Sequence, residues 1–288
     1  MSIRLIQDRL DTYGCQGPIE EEQALREITQ EVVLAALGRT DFFSNAAFHG
    51  GSSLRIFYGL NRFSEDLDFA LHRPGDRFNL QPYIKSIAME LTAYGYQLEI
   101  QDRPQADRIV KKTFLKDDSL IRVLHMNHLR PDRSAKTIRI KFKVDSNPPQ
   151  GAVIESKFLD FPFVSSVVVH DLPSLFAGKI HALLCRPHVK GRDWYDFIWY
   201  TGRGTSINHA LLSAALHQQG PWQGQGLKTD TPWCIEQLRG KIHSIPWDQA
   251  AADVQGFVKT HELPSLKLWS EVFFLSQLDK YASKGSRS

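Results

Sequence analysis

Two aspartates with one residue between them, Asp66 and Asp68, stand in the run SEDLDFAL, and a further acid, Asp145, closes the alternating run TIRIKFKVD. Successive side chains on a strand point to opposite faces, so Asp66 and Asp68 share one face while Leu67 and Phe69 take the other. Two carboxylates at this spacing repel and raise each other's pKa unless a cation lies between them. Oxygen ligands of this kind suit Mg²⁺ or Mn²⁺. A solvated edge strand with two ordinary surface acids is the alternative. The preceding stretch, HGGSSLRIFYG, weighs against it. Gly50 and Gly51 let the backbone turn tightly and come close to a ligand. Ser52 and Ser53 then open a short helix whose free N–H groups and dipole attract an anion such as a phosphate. A metal pair beside a phosphate cradle suits a nucleoside triphosphate.

Two-metal phosphoryl transfer, with metals roughly 3.5–4 Å apart, calls for a further acid. In TIRIKFKVD, Ile138, Ile140, Phe142 and Val144 form one face, and Arg139, Lys141, Lys143 and Asp145 the other. Asp145 is the expected third metal ligand and the base toward an attacking hydroxyl. The alternative is a cationic solvent face with an acid entering the next turn. Farther along, Lys179 and Arg186 are seven residues apart on an expected helix and share a face. That face could bind a triphosphate or an RNA backbone. Asp193 and Asp196 also share a helix face. With Arg192 they could form an ion-pair cluster at the helix start, or Asp193 could orient Lys179 or the acceptor group. Trp194 and Tyr195 are read as packing residues, with stacking on a base as the alternative. His170-Asp171 has no second pair at a fitting spacing, and His181 and His188 flank Cys185 without a further ligand, so zinc is not expected.

The elements that must position these residues follow from periodicity. EEEQALREITQEVVLAALG reads as an opening helix ended by Gly38. AAFHGG is a strand end, SSLRIFYG a short helix with serine at its cap and Gly59 behind it, DLDFAL a strand, and QPYIKSIAMELTAYG a helix closed by Gly95. The segments YQLEIQDR, RIVKKTFLK, SLIRVLHM and TIRIKFKVD then read as strands of an antiparallel or mixed sheet. SNPPQGA breaks this pattern, and PFVSSVVVHD is one more strand. From there the chain reads as helices: LPSLFAGKIHALLCR, RDWYDFIWYTGRG, NHALLSAALHQQG, PWCIEQLRGKIHSI, DQAAADVQGFV and SEVFFLSQLDKYAS. The order is not the regular alternation of a doubly wound sheet. The expected class is α+β: an N-terminal domain over residues 1–170 on a mixed or antiparallel sheet, then an α-helical domain over 171–288.

Composition sets outer limits. The 288 residues are 42% hydrophobic and 23% charged, ordinary for a globular protein. The net charge of +3 permits a polyanionic partner without arguing for one. Cys15, Cys185 and Cys234 show no paired spacing, which excludes a disulfide framework and points to reduced thiols in a cytoplasm. The N-terminus has no apolar signal core, no window approaches the roughly 18 apolar residues of a membrane span, and SKGSRS reads as a frayed basic tail.

GGSSLRIFYGLNRFSEDLDF resembles the signature of the nucleotidyltransferase superfamily with a polymerase-β-like palm. More narrowly, YGLNRFSEDLDF is similar to the AbiEii/AbiGii toxin family of type IV toxin–antitoxin systems. KVD (Lys143 to Asp145) matches that family's second motif, Lys179 the lysine of its third, and KGRDWYD (Lys190 to Asp196) its fourth. One departure is Ser146 after Asp145, where an apolar residue is commoner. The resemblance implies a bilobed protein with the active site in an interlobe cleft, NTP and Mg²⁺ (or Mn²⁺) as substrate and cofactor, and transfer of nucleotides to the 3′ acceptor end of tRNA. It also implies a separately encoded antitoxin. The expected enzyme is a cytoplasmic monomer. Its catalytic candidates are Asp66, Asp68, Asp145, Lys179 and Asp193. Gly50, Gly51, Ser52, Ser53, Lys143, Arg186, Arg192 and Asp196 are candidates for nucleotide and phosphate binding. Nucleotidylation of a protein or small molecule, and a catalytically silent antitoxin or nucleotide-binding protein, are the alternatives.

Overall fold

The computed structural model describes residues 2–75, 77–102, 119–129 and 135–285. The strand expected over 108–116 lies outside them, as does the end of the basic tail. The described chain divides into two compact units. The first comprises Met1–Gly59, Phe63–Pro148 and Glu155–Val169; the second comprises Leu60–Arg62, Pro149–Ile154 and His170–Ser288.

The first unit is built on a seven-stranded mixed sheet. Its strands are β1 (Ala46–His49), β2 (Leu67–Leu71), β3 (Tyr96–Asp102), β4 (Ser119–Leu129), β5 (Ala135–Asp145), β6 (Ile154–Leu159) and β7 (Ser165–His170), in the order β3-β4-β5-β2-β1-β7-β6. β2 lies at the centre, antiparallel to β1 and parallel to β5. The alternation seen in the sequence sets its faces. Leu67, Phe69, Ile138, Ile140, Phe142 and Val144 are buried, while Arg139 and Lys141 are exposed. Phe69 sits 4.8 Å from Phe142 and 4.9 Å from Phe42, ring centre to ring centre, so β2 and β5 are locked by their apolar face. Helix α2 (Pro18–Gly38) covers this core with Leu25, Ile28, Val32 and Val33. Among the described residues, the unit also contains α1 (Ser2–Asp11), α3 (Gly50–Tyr58) and α4 (Gln81–Ala93).

Periodicity misses α1 and β6, and also the 3₁₀ helix over Thr260–Leu268. Among its described residues helix α1 buries the apolar Ile6 and Leu10, and it carries no acidic residue in its first turn. β6 exposes Ile154 and Phe158, so the apolar-in, polar-out rule does not reveal it.

The second unit is helical: α5 (Leu172–Cys185), α6 (Gly191–Arg203), α7 (His209–Gln218), α8 (Thr231–Ile242), α9 (Trp247–Val254) and α10 (Glu271–Gly285). Phe176 stacks on Tyr200 at 4.4 Å and Trp247 on Phe274 at 3.9 Å, and Trp194 packs edge-on against both Trp247 and Phe274. Asp171 caps α5 by accepting from the Ser174 N–H at 2.9 Å. Among the described residues, no helix is long and apolar enough to cross a membrane.

Candidate active site

In the first unit, the turn between β1 and α3 and the entry to β2 form one structure. Helix α3 begins at Gly50, with His49 at the cap position; the expected serine cap is thus replaced, and Ser52 and Ser53 lie inside the first turn. Both serines are buried. The Ser52 hydroxyl donates to the Asp66 carbonyl, so its geometry ties the turn to the aspartate segment rather than leaving it free for a phosphate. Gly50 has φ +78°, and a Cβ there would lie 2.9 Å from Asp68 Oδ2. Only glycine satisfies both the left-handed backbone and this close approach. The backbone N–H groups of the first turn remain the anion-attracting part of the helix.

Asp66 lies just ahead of β2, and Asp68 within it. Register sets Asp68 beside Lys143 on the parallel strand β5. The Lys143 Nζ lies 2.7 Å from Asp66 Oδ2 and 3.1 Å from Asp68 Oδ1. Burial alone would lower the Lys143 pKa; the charges of Asp68 and Asp66 outweigh it and hold the ammonium above its ordinary range. The cation required between the two carboxylates is therefore supplied by the chain itself. Asp145 is two residues farther along β5, beside Ala70, and its Oδ1 accepts from the Asn147 N–H at 3.0 Å. That places Asp145 on the same face as Lys143, about 7 Å along the strand from it.

The aspartates fit a hard divalent cation as a pair of ligands. Their oxygens already converge on one positive nitrogen, and carboxylate oxygen is the donor Mg²⁺ prefers. Among the described residues, no three His, Cys, Asp or Glu are grouped to hold a metal.

In the second unit, α5 and α6 bring the later motif residues together. Lys179 Nζ lies 2.6 Å from Asp193 Oδ1 and 2.7 Å from Asp196 Oδ2. Arg186 bonds the other Asp193 oxygen through Nη1. Burial acts to raise the Asp193 pKa, but the charges of Lys179 and Arg186 prevail and hold it well below the usual carboxylate range. Asp193 thus orients Lys179 and Arg186. Asp196 is wholly buried, and Arg62 binds it twice, Nε to Oδ1 at 2.6 Å and Nη2 to Oδ2 at 2.7 Å. With its oxygens held by Arg62 and Lys179, Asp196 is an anchor and not the nucleotide contact expected of it. Arg192 lays its guanidinium over the Phe257 ring at 4.0 Å. Trp194 is packed, as described, and the Tyr195 hydroxyl donates to Glu262 at 2.6 Å.

Two residues of this cluster escape sequence reasoning. Arg62 lies inside the quoted run GLNRFSEDLDF, and that position was the only signal for it. Lys190 opens the run KGRDWYD and caps α6. Burial first, then the charge of Arg192, with Arg186 and Lys179 adding to it, pushes its ammonium down to about 8.

The sequence profile of a family described as "Nucleotidyl transferase AbiEii toxin, Type IV TA system" matches residues 32–272. The structure titled JHP933 from Helicobacter pylori shares the fold, with a TM-score of 0.55 at 16% identity, covering 93% of this chain and 94% of that one. A second H. pylori structure, described as a candidate nucleotidyltransferase, is 17% identical over 90% of this chain and 92% of its own, with a TM-score of 0.49. No curated protein matches the sequence at a significant level.

Proposed function

We propose, for a chain that belongs to the nucleotidyl transferase AbiEii toxin family of type IV toxin–antitoxin systems, that it transfers nucleotides from an NTP to the 3′ acceptor end of tRNA and so blocks translation. The chain is a nucleotidyltransferase, and its family implies a nucleotide substrate and an antitoxin partner. The acceptor, the Mg²⁺ requirement, the cytoplasmic location and the monomeric state are parts of the proposal.

The observation that carries the reading is the convergence of Asp66 and Asp68 on one cationic point beside the first turn of α3. In the proposed reaction, a ribose hydroxyl of the RNA attacks the α-phosphorus of the NTP. The new P–O bond forms as the bond to the β-phosphate oxygen breaks, and pyrophosphate leaves. Asp145 takes the hydroxyl proton. The N–H groups at the start of α3 and the cations Lys143, Lys179, Arg186 and Arg192 bind phosphate oxygens. Asp193 holds Lys179 in place. Magnesium on Asp66 and Asp68, with Asp145 completing the set, would supply charge neutralisation at the attacking and leaving oxygens.

The test is incubation of the pure protein with total tRNA, Mg²⁺ and each labelled NTP in turn. Label on tRNA is expected, and label on the protein would instead favour the protein-acceptor alternative. Asp68→Ala is expected to lower transfer by at least ~10²-fold with an unchanged circular dichroism spectrum. No label with any NTP, together with growth arrest that survives Asp68→Ala, would sink the enzymatic reading.

A further inference from the structure

The clearest feature that phosphate binding by Lys143 leaves unexplained is the location of its ammonium. A phosphate-binding lysine would be expected to point away from metal ligands. Here it lies between them, 2.7 Å from Asp66 Oδ2 and 3.1 Å from Asp68 Oδ1. Its place is fixed from several directions. The β2–β5 register sets it level with Asp68. The Ser52 hydroxyl holds the Asp66 carbonyl, and the Gly50 backbone closes on Asp68. On the same face of β5, Lys141 is exposed, so proximity to acids is not general to that row.

We propose that Lys143 is a stand-in cation: it neutralises Asp66 and Asp68 in the nucleotide-free protein and must leave them before a divalent metal can bind. The inference deepens the metal and nucleotide reading above and rests on it. Mg²⁺ binds carboxylate oxygens at about 2.0–2.1 Å and demands near-octahedral room. An ammonium within hydrogen-bond distance of the same two oxygens occupies that room. It also repels the incoming dication. The four-carbon lysine stem lets the ammonium swing off the pair by side-chain rotation alone. A triphosphate arriving with its metal gives the displaced ammonium a new set of anionic oxygens. Metal alone offers no such partner. The metal and the nucleotide therefore bind together: metal without NTP binds weakly, because displaced Lys143 is left without a counter-charge. The two carboxylates are never left to repel each other in the empty protein.

The probe is Mn²⁺, titrated without nucleotide and read by electron paramagnetic resonance. Lys143→Met keeps the length of the side chain and removes its charge. It is expected to bind Mn²⁺ at least ~10-fold more tightly than the wild-type protein, since a like charge has been removed from beside the dication. Lys143→Arg keeps a cation and should bind as weakly as wild type, and Lys141→Met should match wild type. A second readout is thermal: in chelator, Lys143→Met should melt below wild type, and Mn²⁺ should raise its melting temperature more than it raises that of wild type. Unchanged or weaker Mn²⁺ binding by Lys143→Met with a native circular dichroism spectrum overturns the proposal. Should that variant not fold, titration of the wild-type protein with Mg²⁺ and each NTP together decides, read by the ¹⁵N-detected Lys143 ammonium signal. A shift toward a solvated lysine supports the exchange, and no change overturns it. Failure here with intact transfer to tRNA removes only the stand-in role. Tight Mn²⁺ binding by Lys143→Met without transfer to any acceptor removes only the functional reading.

Discussion

Arg62 is 3% exposed, and the carboxylate it grips is 0% exposed. Burial would lower the Arg62 pKa, but the Asp196 charge and hydrogen bonds raise it instead. Removing one member of such a pair strands a buried charge, which costs about 3–5 kcal/mol. Arg62→Ala is expected to destabilise the protein by that amount in urea denaturation. Lys179 also reaches Asp196, so a result near the lower end would show that it partly compensates. Arg62→Lys should recover little, because an ammonium cannot reproduce the two-pronged contact. The same geometry reassigns Asp196 from substrate contact to support for Lys179. These roles were not legible in the residue types: an aspartate in a helix motif looks the same whether it meets a ligand or an arginine 134 residues away.

At the scale of the element, the start of α6 concentrates positive charge where the helix dipole disfavours it. Lys190 caps this helix and Arg192 stands in its first turn. Gly191 between them is required for packing, since a Cβ there would fall 1.8 Å from the Ala250 carbonyl oxygen of α9. Lys190 is thereby held close to Arg186, Lys179 and Arg192, and its pKa falls from 10.5 to about 8. Between those two pH values the unfolded chain binds the extra proton, so stability rises with pH across that window. Below about 8 the folded unit carries a buried charge that it disfavours. Lys190→Met is expected to stabilise the protein at pH 7 by roughly 1–3 kcal/mol. It should also flatten the dependence between pH 8 and 10.5, measured by urea denaturation at each pH. Most elements were legible because each carries its own period and stop signal. Helix α1 and β6 were not: α1 has no acidic residue in its first turn, and β6 exposes Ile154 and Phe158.

For the whole molecule, the division of the chain matters more than the position of any one boundary. Leu60–Arg62 and Pro149–Ile154 belong to the helical unit although the sequence around them belongs to the sheet unit. Cutting at residue 170 leaves those segments behind. A 171–288 fragment loses the Arg62 clamp on Asp196, the Asn208 bond to the Gly151 carbonyl at 2.8 Å, and the Val153 N–H bond to Ser174 at 2.9 Å. It is expected to melt well below the helical transition of the intact chain, followed by circular dichroism, and a 149–288 fragment should recover part of the loss. A 171–288 fragment melting with the intact chain would show that these contacts contribute nothing. The sequence by itself determined which residues face which way. A strand's two-residue period sent Asp66 and Asp68 to the polar side; Arg186, expected on one helix with Lys179, stands instead in extended backbone just past the end of α5. Facing is a local property, fixed by backbone geometry within a few residues. Only the tertiary structure decided what stands opposite each of them: Lys143 between the two aspartates, Asp145 one step beyond, and Arg62 on Asp196. Such partners depend on strand register and helix packing across 75 to 134 residues, and no local pattern encodes them.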